Sequence, residues 1–214
     1  MTATPPEPAP PEPAWSDSIE RPPPWRDDGA RPIHDNAWLS LNEHQATAPT
    51  GHQARYAVMR PKNLAVGVLP IHDDGTVVLV GQWRFPLMNY SWEMPEGGAP
   101  FDEDPLEGAR RELAEEAGLA AEHWIEALRM ELSNSVTDER AVTWVAWGLT
   151  PVPADPDPTE ALAQVRVPFR DLLHEIERGG VRDALTVATA LRAYHMAGEG
   201  RLPDRLAKAM LTGL

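Results

Sequence analysis

Two stretches of the chain are apolar on both faces. NLAVGVLPI (63–71) and TVVLVGQWRF (76–85) are rich in β-branched residues and read as buried strands, with Asp73-Asp74-Gly75 turning between them. Before them, Ala37 to Arg60 carries a hairpin pattern with Pro49-Thr50-Gly51 as its turn signal. Further strands are expected near Ala127–Leu132, Val142–Leu149 and Gln164–Val167, with a loop at 153–160. Helical periodicity returns at about Phe169–Glu177 and Asp183–Ala197, the second stretch stopping at Gly198. Strands on both sides of a central helix, with helices at the end, predict an α/β fold in which a mixed β-sheet lies between helical layers.

The central helix is the most fully specified element. Asp104 suits the N-cap, Pro105 the first helical position, and Glu107 the far corner of a capping box. Gly118 suits a left-handed C-cap, so the helix should cover Pro105 to Ala117. Leu106, Ala109, Leu113 and Ala117 then form a narrow apolar stripe, and Glu112, Glu115 and Glu116 lie together on the adjoining face. Like charges at that spacing repel. Either the face is solvated, or something positive sits among them. A carboxylate tripod on a rigid helix suits Mg²⁺ or Mn²⁺, hard cations that take oxygen ligands and keep waters for a phosphate to replace. Arg111 can pair with Glu115 one turn on, or with Glu103, and so orient the ligands.

Composition narrows the partners. The 214-residue chain has a net charge of −14 and no local basic stripe, which argues against a nucleic-acid backbone as ligand. A metal ion would let so acidic a protein act on phosphates. With no cysteine there are no disulfides, thiolate metal sites or Cys nucleophiles, and the seven histidines show no ligand spacing. Ten of the 23 prolines fall in residues 1–32, so a disordered Pro-rich tail is expected there, followed by one domain over 33–214. The opening MTATPPEPAPPEPAW does not read as a secretory signal, and no apolar run could span a bilayer; a cytoplasmic protein without membrane partners is expected.

The acidic helix also belongs to a longer pattern. Gly97, five residues, Glu103, seven residues, then Arg111-Glu112-Leu113-x-Glu115-Glu116-x-Gly118-Leu119 matches the Nudix box at every defined position over 23 residues. The chain thus resembles the Nudix hydrolases, which cleave a nucleoside diphosphate linked to another moiety. The likeness extends over about Asn36 to Ala197. Through GQWRFP (81–86), SWEMPEGG (91–98) and SNSVTDE (133–139) it is similar to the branch of ADP-ribose and nucleotide-sugar pyrophosphatases.

That resemblance implies a Nudix-type α/β/α sandwich and a Mg²⁺-dependent pyrophosphatase. It implies Glu112 and Glu116 as the main metal ligands, Glu115 as a supporting one, and the backbone carbonyl of Glu96 as a further one. Gly97 would let the backbone come close to the ion, and Glu103 and Arg111 would support the ligands. Arg84 matches an arginine that contacts the diphosphate in relatives. Glu139 matches a loop glutamate that orients or deprotonates the attacking water, a role for which Glu115 is the rival. Trp83 and Trp92 flank these stretches, and core packing is the expected role for both. Asn134 follows Ser133 where ADP-ribose-type relatives usually carry proline, which leaves a hexose nucleotide such as GDP-mannose open beside ADP-ribose. A dinucleoside polyphosphate or triphosphate substrate, or a non-catalytic sensor, are the alternatives. The resemblance also implies a homodimer in which the 37–60 hairpin reaches across to the partner, and which should persist without residues 1–30.

Overall fold

In a computed structural model of the chain, residues 11–155, 157–159 and 161–213 are described. The chain divides into two compact units, residues 1–62 with 135–138, and residues 63–134 with 139–214. In the first unit β1 (Arg26–Asp35), β2 (Leu39–Thr47) and β3 (Gln53–Pro61) form an antiparallel sheet in that order. The predicted hairpin is β2–β3, paired in unbroken register from Leu39↔Pro61 to Thr47↔Gln53. The short segment 135–138 belongs to the same unit: Val136 O accepts from Met59 N at 3.0 Å and Ser135 O from the Tyr56 hydroxyl at 2.7 Å.

The tail expected over residues 1–32 therefore ends sooner than its proline content suggests. Residues 1–10 lie outside the described residues, a 3-10 turn occupies Ala14–Ser18, and β1 begins at Arg26. Gly29 and Pro32 argue against a strand. They are accommodated because β1 is an edge strand whose register shifts between Asp27 and Gly29 and again between Pro32 and His34.

The second unit contains the remaining elements: β4 (Asn63–Pro70), β5 (Thr76–Arg84), β6 (Asn89–Glu93), β7 (Glu96–Pro100), α1 (Pro105–Ala117), β8 (Leu119–Glu131), β9 (Arg140–Pro151), β10 (Ala163–Pro168), α2 (Phe169–Glu177), α3 (Ala184–Gly198) and α4 (Asp204–Met210). One sheet runs β7-β4-β9-β8 and is mixed, since β4 and β9 are parallel while the other pairs are antiparallel. A second, antiparallel sheet runs β10-β5-β6.

Because successive strand residues face opposite sides, β4 serves two layers. Val66 and Val68 pack with Ala109 and Leu113 of α1, while Leu69 belongs with Val145 to the large cluster that includes Ala190, Ala193 and Met196 of α3. Strand β9 does the same: Trp144 and Ala146 meet the α1 layer, and Thr143 faces α3, where its hydroxyl accepts from Thr189 at 2.8 Å. The expected α/β/α sandwich is present. Among the described residues no helix is long and apolar enough to cross a membrane.

Strands β7 and β8 depart most from the sequence reading. EGGAP has poor strand propensity and is held as an edge strand by pairing with β4. LAAEHWIEALRME is rich in helix formers, so only its end reads as extended; eleven paired positions along β9 override that local preference. The short α4 buries Leu206, Ala207 and Met210 against the large cluster.

Candidate functional site

Helix α1 covers the expected residues. The Asp104 carboxylate accepts from Leu106 N at 3.0 Å, and Gly118 adopts φ 61° with its N–H donating to Ala114 O at 3.0 Å. The capping box is not closed in the expected way: Glu107 pairs with Arg110 at 3.4 Å. The stripe is buried as predicted, with Ala109 and Leu113 fully enclosed. The three glutamates are not a solvated face. Glu112 is 8% and Glu116 3% exposed, while Glu115 is half-buried at the rim.

The positive group among them is Arg111. Its Nη1 donates to Glu112 at 2.7 Å and to Glu115 at 3.3 Å, its Nη2 donates to the carbonyl of Gly98 at 2.9 Å, and Glu103 lies 3.6 Å away. Burial opposes its charge, but the surrounding glutamates, Glu112 foremost, raise its pKa overall. Glu116 instead accepts from Glu96 N at 2.9 Å, tying the last turn of α1 to the start of β7.

Gly97 has a direct steric reason. A Cβ there would stand 2.5–2.6 Å from both carboxylate oxygens of Glu112. The residue thus makes room first for the glutamate, and only through it for any ion the glutamate holds. A hard cation suits the donors gathered here: two buried carboxylates backed by a third, with an arginine holding the set in place.

Arg84 ends β5 and reaches a second acidic group. Its Nε donates to both oxygens of Glu93, at 3.0 and 2.9 Å, and its Nη2 bonds Glu93 and also Glu96 Oε1, the latter at 3.1 Å. Burial lowers the arginine's proton affinity and the carboxylates, led by Glu93, more than restore it. Arg84 Nη1 makes no hydrogen bond to the described residues, and the Arg84 residue lines a cavity of about 870 Å³.

Glu93, Glu96 and Asp183 each bring one carboxylate oxygen within 4.8 Å of one another, a group that could hold a divalent cation. Asp183 caps α3, accepting from Thr186 N at 2.7 Å, and the Thr186 hydroxyl accepts from Met94 N at 2.9 Å. That pair of bonds fixes the helix start beside the β6–β7 junction. Glu96 Oε2 is wholly buried with no N–H or hydroxyl donor against it among the described residues, and the Glu96 carboxyl shares a hydrogen bond with Asp183. Burial, then the nearby charges of Asp183 and Glu93, push the Glu96 pKa well up against the opposing pull of Arg84.

Glu139 lies at the foot of its loop, where its carbonyl accepts from Leu132 N at 3.1 Å. It lines a smaller cavity of about 290 Å³ together with Gly97, Arg84, Glu96 and Asp183. Partial burial raises its pKa. Of the two tryptophans, Trp92 packs against the large core cluster as expected, but Trp83 is 70% exposed, its ring set edge-on to Tyr90 at a centroid distance of 5.9 Å. At the end of β5 the alternation turns this side chain outward, where no layer covers it.

Sequence reasoning missed Glu93 and Asp183 as site residues. Glu93 stands inside SWEMPEGG (91–98) and Asp183 at a predicted helix start, yet 90 residues separate them and nothing local joins them. A lone carboxylate ending a strand in an apolar setting was the available signal for Glu93.

Comparison with known proteins agrees with this arrangement. The NUDIX domain pattern matches residues 61–189. The ADP-ribose pyrophosphatase of Mycobacterium tuberculosis is 26% identical over 166 residues, spanning 76% of this chain and 79% of its own length. The ADP-sugar pyrophosphatase of Mus musculus is 30% identical over 183 residues, spanning 77% and 83%. The fold is shared with a crystal structure of an ADP compounds hydrolase at a TM-score of 0.76 and 22% identity, covering 86% of this chain and all of that one. Since the box residues sit together around α1 and the likeness runs through most of the length, the chain belongs to the Nudix hydrolase family, in the branch of ADP-ribose and ADP-sugar pyrophosphatases.

Proposed function

We propose that the protein hydrolyses the diphosphate linkage of a nucleoside diphosphate sugar, ADP-ribose or a hexose nucleotide such as GDP-mannose, to a nucleoside monophosphate and a sugar phosphate. The observation that carries this reading is the position of Arg84. Glu93 and Glu96 hold its guanidinium in place, Nη1 is left for an anion, and the side chain borders both cavities. A diphosphate at Arg84 would have the α1 carboxylates and Glu139 on one side and the larger cavity on the other. That cavity falls within the usual range for small-molecule sites, about 300–1,000 Å³.

Glu112 and Glu116, with Glu115 in support and the Glu96 carbonyl beside them, would hold Mg²⁺. Bound there, the ion would neutralise the diphosphate and lower the pKa of a coordinated water. Arg111 keeps Glu112 and Glu115 oriented. Glu139 takes the proton of the attacking water, with Glu115 as the rival base. A linked diphosphate brings only about two negative charges, fewer than the nearly four of a triphosphate, which suits so acidic a protein.

The test is chromatographic product analysis with Mg²⁺ over ADP-ribose, hexose nucleotides, dinucleoside polyphosphates and the common triphosphates. Pyrophosphate released from triphosphates, with no sugar nucleotide cleaved, would reject the proposal. The homodimer implied by the family resemblance belongs to the same reading. Its check is light scattering on protein trimmed before β1, since a cut at residue 30 would remove part of that strand.

A further inference from the structure

The C-terminal end of α1 is closed by the backbone alone. Gly118 N–H donates to the carbonyls of Ala114 and Leu113, and Val152 N–H donates to the Gly118 carbonyl at 2.8 Å. The last carbonyls of a helix have no N–H partner within it. One of them, that of Glu116, receives a bond from a side chain: Gln164 Nε2 donates to it at 2.6 Å. Gln164 lies 48 positions further along the chain, on β10, an edge strand of the second sheet.

The register brings it there. Gln164 stands opposite Val80 and Val80 opposite Glu93, so the three side chains share one face of the β10-β5-β6 sheet. Val78 shares that face and packs with Leu113 and Ala117, so the face is the one turned to α1. Glu116 is therefore held at two points, its carbonyl by Gln164 and its carboxylate by Glu96 N at 2.9 Å. Helix ends fray when only local bonds hold them. Since Gly118 and Val152 already close this one, the bond from Gln164 is not needed to end the helix, and it falls on the residue whose carboxylate must be aimed. We propose that Gln164 is a positioning residue for Glu116: by holding its main-chain carbonyl it keeps the carboxylate in place for a divalent cation. The inference rests on the proposed reaction for the role of Glu116 as a metal ligand. Partners that orient a ligand in this way change metal affinity or activity by about 10–100-fold.

Two measurements on the full chain test it. Calorimetry gives the affinity for Mn²⁺, and amide exchange of Glu96 N–H in metal-free protein reports the bond to the Glu116 carboxylate. Gln164→Leu removes the donor at similar volume, and Gln164→Asn draws it back by one methylene without adding apolar surface to an edge strand. Gln164→His, neutral at about pH 8, keeps an N–H at similar reach. Gln164→Leu and Gln164→Asn should each weaken Mn²⁺ about 10-fold and speed Glu96 exchange about 5-fold, with Tm within about 3 °C of the wild type. Gln164→His should return the Mn²⁺ affinity to within about 3-fold. Unchanged Mn²⁺ affinity in the first two variants would overturn the proposal. So would a loss accompanied by a larger fall in Tm, or one that Gln164→His does not repair, because the bond would then serve the fold alone. Glu116→Gln separates the inference from the reaction beneath it. If that variant loses Mn²⁺ and the Gln164 variants do not, only the positioning role falls. If Glu116→Gln also binds Mn²⁺ as the wild type does, the α1 metal site falls, and the role of Gln164 with it.

Discussion

Two acidic groups lie on either side of Glu96, and each is organised by one arginine. In the α1 group, Arg111 bonds Glu112 and Glu115, while Glu116 is bonded to the Glu96 N–H. In the other, Arg84 grips Glu93 through two nitrogens and reaches Glu96 with one of them. The first group comes from a single helix and keeps Glu115 at the rim, where a ligand can exchange. The second is assembled from β6, β7 and the start of α3, and its arginine is committed to a carboxylate that is 2% exposed. On the proposed reaction the α1 group takes up and releases an ion, for which its rim glutamate gives access. The Arg84 group presents a face fixed by a buried ion pair to the substrate.

The largest effect that this contrast predicts is on the helix. Glu116→Gln keeps an oxygen able to accept from Glu96 N, so the fold should stand while the proposed metal site loses a charged ligand. A fall in kcat of about 10²-fold or more is expected, close to 3 kcal/mol of transition-state stabilisation. Near wild-type turnover at saturating Mg²⁺ would remove the α1 group from the chemistry.

Glu139 should come next. A general base works ionised, and burial raises this carboxyl above its ordinary value of about 4.3. The rate should therefore fall as the pH drops through a value higher than an exposed glutamate would give. Glu139→Gln should lose about 10²-fold in kcat together with that acid limb. A pH profile that Glu139→Gln leaves intact would transfer the role to Glu115.

The two arginines separate on stability. Arg84→Met strands the buried Glu93 carboxylate, and breaking such a pair costs about 3–5 kcal/mol when fully buried. Arg84 is itself about a third exposed, so about 2–3 kcal/mol is expected, a fall in Tm of about 4–12 °C. Arg111→Met takes one partner from the buried Glu112 as well as from Glu115. Glu115 can turn to solvent, however, and Arg111 is itself more than a third exposed, so its Tm should fall less, by about 2–4 °C. Equal shifts in a thermal melt would mean that the two groups are held alike.

How much of this was legible follows from the same contrast. The α1 group could be read because caps, stripe and carboxylates lie within one helix of thirteen residues, where spacing alone sets the geometry. The paired burial of Glu112 and Glu116 was not readable, since it depends on β7 lying against the helix, and EGGAP carries no strand signal of its own. Asp183 was visible only as a helix start; its place beside Glu93 and Glu96 depends on the bond between Thr186 and Met94, a contact 92 residues apart. Strand β8 shows the same limit in the fold, with helix-forming residues held extended by a neighbour that local propensity cannot see.

The smallest effect concerns the adjacent glycines of β7, and it asks whether the α1 group has room to spare. At Gly97 an added Cβ meets the carboxylate of Glu112, the far end of a flexible side chain. The fold can yield by turning that side chain, at the cost of moving a proposed metal ligand. Gly97→Ala should therefore lose about 10-fold in kcat/KM, about 1.4 kcal/mol, with a rise in the Mg²⁺ concentration needed for half activity and little change in Tm. At Gly98 the added Cβ meets Asn63, with Nδ2 at 3.0 Å and Cβ at 3.2 Å. Asn63 belongs to β4 and is not a ligand, and the Gly98 carbonyl that receives Arg111 is backbone, so Gly98→Ala should change activity by less than about 2-fold. Equal losses at the two positions would mean that strain in β7, and not displacement of Glu112, is what the substitution reports.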